Sequence, residues 1–404
     1  MRRQSNASNG LLASTNAWPS TVVLVSWGRY CQTPPALRLS EYLRRGGVKV
    51  QELGFFPDGE FRFREWRREG PEFHRDSRPS SRGRRLLRFA KKARLADRSN
   101  QDNALWAFLD VQSLLLGWIL AIGKRRLFYC IDYSPPSSGF WGAMRRRLES
   151  AAIGRIDIVV TVEWAKIAAM GSTTLDRAVL LRNTPMLTEA EAIHESRHRR
   201  SEVLGIHGIP SSATVLLQAG GVADDFGVLD EIKASAGLPP DLYFLLMGPD
   251  RCSLSDRPPR VISVGEVSDQ EWLALLGSAD VGLALWTPRA SRELDISFNT
   301  PLAWNRLYWY LAAGLPVIAG GHDGLREFIA ETGAGVFLDE VNAERLAQVI
   351  PDVLMRRKEL SAHAIKAFQE GMNFESDMDR VAPLVKRFLT NTRDGQTSKT
   401  ETHT

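Results

Sequence analysis

The residues of this 404-residue chain best placed to do chemistry are a few glycine pairs before helices, two acids at strand ends and one dense basic segment. Gly320-Gly321 follows a short apolar strand, Val317 to Ala319, and precedes a helix expected to start near Leu325. Upstream, an amphipathic run from Leu307 to Ala313 stops at Gly314, and Pro316 follows. A helix ended by Gly and Pro and followed by a buried strand is one αβ step of a parallel sheet. Ligands of open α/β sheets bind beyond the carboxyl ends of the strands. A helix N-terminus pointing there favours a phosphate-bearing ligand, although the same pattern also builds αβα units that bind nothing. Asp132 ends the strand RLFYCID (126–132) and leads into Tyr133-Ser134-Pro135-Pro136. A carboxylate there can orient a hydroxyl, act as a general base or cap its own loop. Glu163, after IDIVVTV (156–162), is a weaker candidate of the same kind.

These groups need strands and helices to hold them. TVVLVSW (21–27), Gly28, a helix from about Pro35 to Arg45, Gly46-Gly47 and VKVQELGF (48–55) read as a βαβ start. Further strands are expected at 126–132, 156–162 and 179–183, with a basic helix at 140–154 between the first two. ALWAFLDVQSLLLGWILAI (104–122) reads as a buried helix, because Asp110, Gln112 and Ser113 argue against a membrane span. Residues 186 to 212 are polar and helical. After them the βα rhythm repeats, with strands at 214–218, 242–247, 261–264, 281–285 and 316–319 and helices at 344–357, 361–372 and 378–389.

Composition sets outer bounds. The chain is comfortable for two cores, and 44% hydrophobic with 25% charged residues is ordinary for a globular protein. Cys31, Cys130 and Cys252 show neither metal spacing nor a disulfide framework, which suits a reducing cytoplasm. Residues 1–18 read as a disordered lead-in without a signal peptide and 391–404 as a disordered tail. The net charge is only +5, so location matters more than sum. Residues 73–98 hold ten Arg and Lys interleaved with Leu, Phe and Ala. From Arg84 on, an amphipathic helix carrying Arg84, Arg85, Arg88, Lys91 and Lys92 would suit an anionic bilayer surface, or simply be a solvated face. Arg145-Arg146-Arg147 forms a second cluster. No recognised module turns this charge into nucleic-acid binding.

The segment NRLYWYLAAGLPVIAGG (305–321) resembles the donor-site signature of GT-B glycosyltransferases, in particular the family 4-like group. Asn305, Arg306, Leu307, Tyr308, Tyr310 and Leu311 to Val317 follow its pattern. LLQAGGVADDFGVLDEI (216–232), LYFLLMGPD (242–250), EWLALLGSADVGLALW (271–286) and VLLRNTP (179–185) resemble further segments of that group, in the same order. The likeness spans about residues 21 to 390 and is stronger in the second half.

The resemblance implies two Rossmann-like doubly wound domains facing across a cleft. An N-terminal acceptor domain would run over 19–195, a nucleotide-sugar donor domain over 196–375, and a terminal helix, 376–390, would return to the first. It implies transfer of a sugar from a nucleotide-diphosphate sugar to a cell-envelope, polysaccharide or lipid-linked acceptor, in the cytoplasm or at the inner face of the membrane. The reaction would be retaining, with no metal and no cofactor beyond the co-substrate. Donor contacts would fall to Gly220, Gly221, Gly248, Asn305, Arg306, Trp309, Arg326 and Glu327, and acceptor-side contacts to Gly28, Arg29 and Asp132. Arg306 would neutralise the departing diphosphate, since its guanidinium stays charged and grips phosphate through two parallel bonds. Its alternative is a plain surface arginine. Asp132 would be the second catalytic group, restricted to positioning if stereochemistry is retained. Glu327 would meet a donor hydroxyl or cap the helix that begins there. Asp377-Met378-Asp379, the only Asp-x-Asp, is expected to be an N-cap and not a metal site.

The chain also departs from the pattern. Phe226 stands where the group carries a Lys or Arg, Trp309 where it carries a ribose-binding Glu, and Pro301 where many members carry a second acid. Indole donates but cannot accept a ribose proton. These departures motivate an alternative, a degenerate GT-B protein acting as a non-catalytic partner.

Overall fold

The computed structural model describes residues 18–27, 33–55, 61–65, 82–100, 104–131, 139–163, 166–167, 170, 176–220, 228–235, 237–248, 258–286 and 305–397. Contacts divide the chain into two compact units, residues 1–182 with 377–404, and residues 183–376.

The first unit is built on a seven-stranded sheet in the order β3-β2-β1-β4-β5-β6-β7. Its strands are β1 (Thr21–Ser26), β2 (Lys49–Phe55), β3 (Phe61–Glu65), β4 (Ala104–Phe108), β5 (Arg125–Cys130), β6 (Ile158–Thr161) and β7 (Ala178–Leu180). All neighbours are parallel except β3, which pairs antiparallel with β2 at the edge. Central strands are apolar on both faces, as β4 (ALWAF) shows by being buried throughout. Helices α1 (Pro34–Arg45), α2 (Arg82–Asn100), α3 (Val111–Ile119) and α4 (Phe140–Ile153) connect them.

The apolar stretch 104–122 is not one helix. Residues 104–108 form β4, Asp110 caps, and α3 starts at Val111. The Asp110 side chain accepts from the Ser113 amide at 2.7 Å, which starts a helix where hydropathy alone shows no break.

The second unit carries a wholly parallel six-stranded sheet, β10-β9-β8-β11-β12-β13. The strands are β8 (Thr214–Ala219), β9 (Leu242–Met247), β10 (Val261–Gly265), β11 (Val281–Leu285), β12 (Val317–Gly320) and β13 (Gly335–Leu338). Alternate residues feed two cores. Val215, Leu217 and Ala219 join one cluster, and Leu216 joins the other. Helices α5 (Leu187–Ser196), α6 (Arg200–Ile206), α7 (Val228–Ser235), α8 (Asp269–Ser278), α9 (Asn305–Ala312), α10 (Asp323–Thr332), α11 (Ala343–Met355) and α12 (Arg357–Glu370) flank the sheet. Helix α5 packs on α8, so residues 183–195 group with the second unit; the sequence reading ends the first domain at 195.

The last helix, α13 (Phe374–Thr397), begins three residues before Asp377. Asn373 caps it by accepting from the Ser376 amide at 2.8 Å, so Asp377 is not the N-cap. Asp377 is instead a buried ion-pair centre. It accepts from Arg182 Nη2 at 2.6 Å, Arg182 Nε at 3.1 Å and the Arg182 amide at 3.0 Å, and from Arg380.

Candidate active site

The carboxyl end of β8 is where the second unit gathers its polar groups. Gly220, with φ +97°, leaves β8, and Gly248, with φ +132°, leaves β9. A Cβ on Gly248 would stand 2.1 Å from the Gly220 carbonyl oxygen, so only glycine lets these two turns touch. Over them lies Arg306, the second residue of α9. A Cβ on Gly220 would be 3.2 Å from Arg306 Nη2.

The guanidinium is held from below. Gln218, fully buried near the end of β8, donates through its amide nitrogen to the Leu283 carbonyl at 2.8 Å. Its oxygen accepts from Arg306 Nη1 at 2.5 Å. That amide orientation is the one its partners require. Tyr310, one turn along α9, places its hydroxyl between strands. It accepts from the Ala219 amide at 2.9 Å and lies 3.0 and 2.9 Å from the Leu217 and Leu283 carbonyls. Helix α9 is thus pinned to β8 and β11 at the point where its first turn faces the strand end.

Glu231 on α7 completes the cluster. It is fully buried, and its Oε2 has no hydrogen-bond partner among the described residues. Burial pushes its carboxyl up to about 8; the positive charge of Arg306 opposes this and Asp230 reinforces it. The Arg306 guanidinium is shifted down by burial, against the pull of Tyr310 and Glu231. Asn305, beside Arg306, likewise has an Oδ1 without a partner among the described residues.

The other expected donor residues are distributed differently. Trp309 is buried in the core and meets Trp272 edge to face at 6.2 Å. Arg326 pairs with Asp339 at 2.7 Å and lies over the Phe337 ring at 4.2 Å. Glu327 is exposed within α10. It does not cap that helix, because α10 starts at Asp323 and its N-cap is His322, whose Nδ1 accepts from the Gly324 amide at 3.0 Å. One amide at the expected phosphate-facing N-terminus is therefore engaged by an imidazole, which burial shifts below its ordinary pKa. Gly221, Gly28, Arg29 and Asp132 lie outside the described residues, as do Phe226 and Pro301.

In the first unit, Asp110 and Glu163 stand near the carboxyl ends of β4 and β6. Asp110 accepts from the Trp27 amide at 2.7 Å as well as from Ser113, and burial raises its pKa against those bonds. Glu163 is buried with Oε2 unpartnered among the described residues. Burial raises its carboxyl to about 7, while Lys166 pulls it down. Lys166 donates to the Ile131 carbonyl at 2.8 Å, just past the end of β5.

The sequence does not single out Gln218 or Glu231; Tyr310 stands there only as part of the resembling segment, and Asp110 only as an argument against a membrane span. Gln218 and Asp110 each carry a signal as a polar residue in an apolar run, whereas Glu231 sits beside Asp230 in an ordinary amphipathic helix. On helix α2, Lys91 is exposed and Lys92 half-buried; the side chains of Arg84, Arg85 and Arg88 lie outside the described ones.

No protein-family model matches the chain, and no curated protein matches it. Solved structures do. Sucrose-phosphate synthase from Thermosynechococcus elongatus superposes with a TM-score of 0.63 at 17% identity, covering 92% of this chain and 99% of the other. WaaG, a glycosyltransferase involved in lipopolysaccharide biosynthesis, matches with a TM-score of 0.54 at 16% identity, covering 90% and 99%. HepE of Anabaena in complex with UDP and glucose matches with a TM-score of 0.56 at 14% identity, covering 90% and 98%. The chain has the GT-B fold of these enzymes, two Rossmann-like domains in one polypeptide.

Proposed function

We propose that the protein is a glycosyltransferase that moves a sugar from a nucleotide-diphosphate sugar to a saccharide or lipid-linked acceptor of the cell envelope or a polysaccharide, with retention and without a metal. The observation behind this reading is the Arg306 guanidinium poised over Gly220 at the end of β8, braced by Gln218. Such a group meets the demand of the reaction. The bond from the anomeric carbon to the diphosphate oxygen breaks, its electron pair stays on the diphosphate, and a fixed cation stabilises that charge. A bond from the anomeric carbon to the acceptor oxygen forms, and the acceptor proton leaves to the departing phosphate. Asp132 would orient the acceptor. The enzyme would work at the inner face of the membrane, with α2 supplying basic residues toward anionic lipid.

The likeness to nucleotide- and sugar-bound HepE supports uridine nucleotides as the first probe. Calorimetry with uridine diphosphate and a panel of nucleotide sugars should give micromolar binding that weakens in Arg306→Ala. Absence of binding to every nucleotide sugar would overturn the reading.

A further inference from the structure

Helix α4 leaves its apolar side uncovered. Phe140 is 75% and Trp141 73% exposed, with Met144 and Leu148 at 40% each. At about 100° per residue these four fall in one arc of roughly 100°. By the same count Arg145 and Arg147 border the arc on its two sides. The other side of the helix is closed, with Gly142, Glu149 and Ile153 buried, and Arg145 Nε meets the Glu149 carboxylate at 2.5 Å. Phe140 and Trp141 meet edge to face at 5.5 Å and present one aromatic block. Ile119, the last residue of α3, which packs along α4, is also 67% exposed.

Large apolar side chains gathered on one helix face call for a partner. Charge decides which. A two-fold contact with a second copy would bring two Arg145-Arg146-Arg147 runs together, which like-charge repulsion opposes. Aromatic and aliphatic side chains bordered by arginines match the layered chemistry of an anionic lipid surface, apolar inside and phosphate outside. We infer that the Phe140–Leu148 face of α4 docks on anionic lipid, with the aromatic pair at headgroup depth and the arginines on lipid phosphates.

The location gives this contact a use. Helix α4 follows β5 through residues 131–138, so Phe140 and Trp141 sit toward the carboxyl edge of the first sheet, where Ile131, Lys166 and Glu163 lie. A lipid-linked acceptor held in the bilayer would be presented to that edge. This use rests on the proposed transfer to such an acceptor, whereas lipid docking itself is measurable without it.

The test is co-sedimentation of the full chain with phosphatidylglycerol–phosphatidylcholine vesicles and with pure phosphatidylcholine vesicles. Binding to the anionic vesicles is expected, weakening with salt. Phe140→Ser/Trp141→Ser should lower it at least tenfold, and Arg147→Gln roughly fivefold. Equal binding to both vesicle types, no binding to either, or binding untouched by both variants would overturn the inference. So would a solution dimer that Phe140→Ser/Trp141→Ser dissolves, which would make a second copy the occupant. Arg147→Gln changes only an exposed side chain and keeps the test valid if the double variant fails to fold. Calorimetry with uridine diphosphate on the same preparations separates the two readings, since loss of nucleotide binding alone would leave the docking result standing.

Discussion

Two charged clusters, one in each unit, are built to opposite specifications. Around Asp377 in the first unit every oxygen is engaged, by the Arg182 fork, the Arg182 amide and Arg380. Around Arg306 in the second unit, Glu231 Oε2 and Asn305 Oδ1 are buried without partners among the described residues. A second satisfied centre, Asp280, lies in the same unit as Arg306. It accepts from Arg200 at 2.9 Å, from Arg357 at 2.6 Å and from the Val215 amide at 2.8 Å. The contrast is therefore one of purpose and not of which half of the chain is better made. A closed cluster has finished its chemistry on folding, and its worth is structural. An open one retains hydrogen-bonding capacity at a strand end, where a ligand would complete it.

The contrast is broken most directly at Asp377. Asp377→Ala leaves Arg182 largely buried without its anion and should cost about 3–5 kcal/mol of stability, read by denaturant unfolding. Nucleotide affinity of the fraction that remains folded should be unchanged. Arg306→Ala should reverse this signature. Loss of a charge-assisted pair with phosphate is worth roughly 1.5–3 kcal/mol, which is about 10- to 100-fold in affinity for uridine diphosphate by calorimetry. If Arg306→Ala lowers stability while the fraction that remains folded keeps its affinity, the open cluster is structural after all.

The closed and open clusters were also unequally legible in the sequence. The helix–Gly–Pro–strand step at 305–320 shows itself through spacing and marks α9 and β12, whereas Arg306 stands out only through the resemblance of NRLYWYLAAGLPV to the GT-B donor signature. Asp377 pairs with Arg182 across 195 positions, a partnership no local pattern reveals. The stretch 104–122 misleads for a related reason. A doubly covered strand and a buried helix are equally apolar, and only the Asp110 cap separates them. The edge strand β3 and the terminal strand β13 left no reading, the first because FRFRE is charged and the second because GVFL is short. Gln218 is a lone polar residue in LLQAGG, and its role depends on Arg306 arriving from α9, nearly ninety residues later.

Glu231→Gln sharpens the comparison through pH. The folded carboxyl titrates near 8, above its ordinary value of 4.5, so folding takes up a proton in that interval. Its contribution is fully present below about pH 4.5 and is lost as pH rises through 8. The native protein should lose about 1–2 kcal/mol between pH 5 and 8 from this group, after relaxation and the opposing charge of Arg306 are allowed for. Glutamine cannot ionise, so the variant should gain relative stability as pH rises, read from thermal melts at pH 5 and pH 8. Equal differences at the two pH values would show that Glu231 is already ionised against Arg306 and that the cluster is closed.

The smallest effect is expected at Glu163, which tests whether the first unit has an open site of its own. Its carboxyl is raised to about 7 by burial, with Lys166 opposing, so its stability contribution holds below about pH 4.5 and fades as pH passes 7. Glu163→Gln should flatten that part of the stability profile only slightly. Uridine diphosphate affinity should not change, because Glu163 belongs to the sheet edge of the other unit. What should change is transfer. If the ionised carboxylate orients an acceptor hydroxyl, the rate rises through pH 7 in the native protein and loses that limb in the variant. A variant with the native pH–rate profile would make Glu163 a buried acid with no part in acceptor binding, which would leave that proposed role to Asp132 alone.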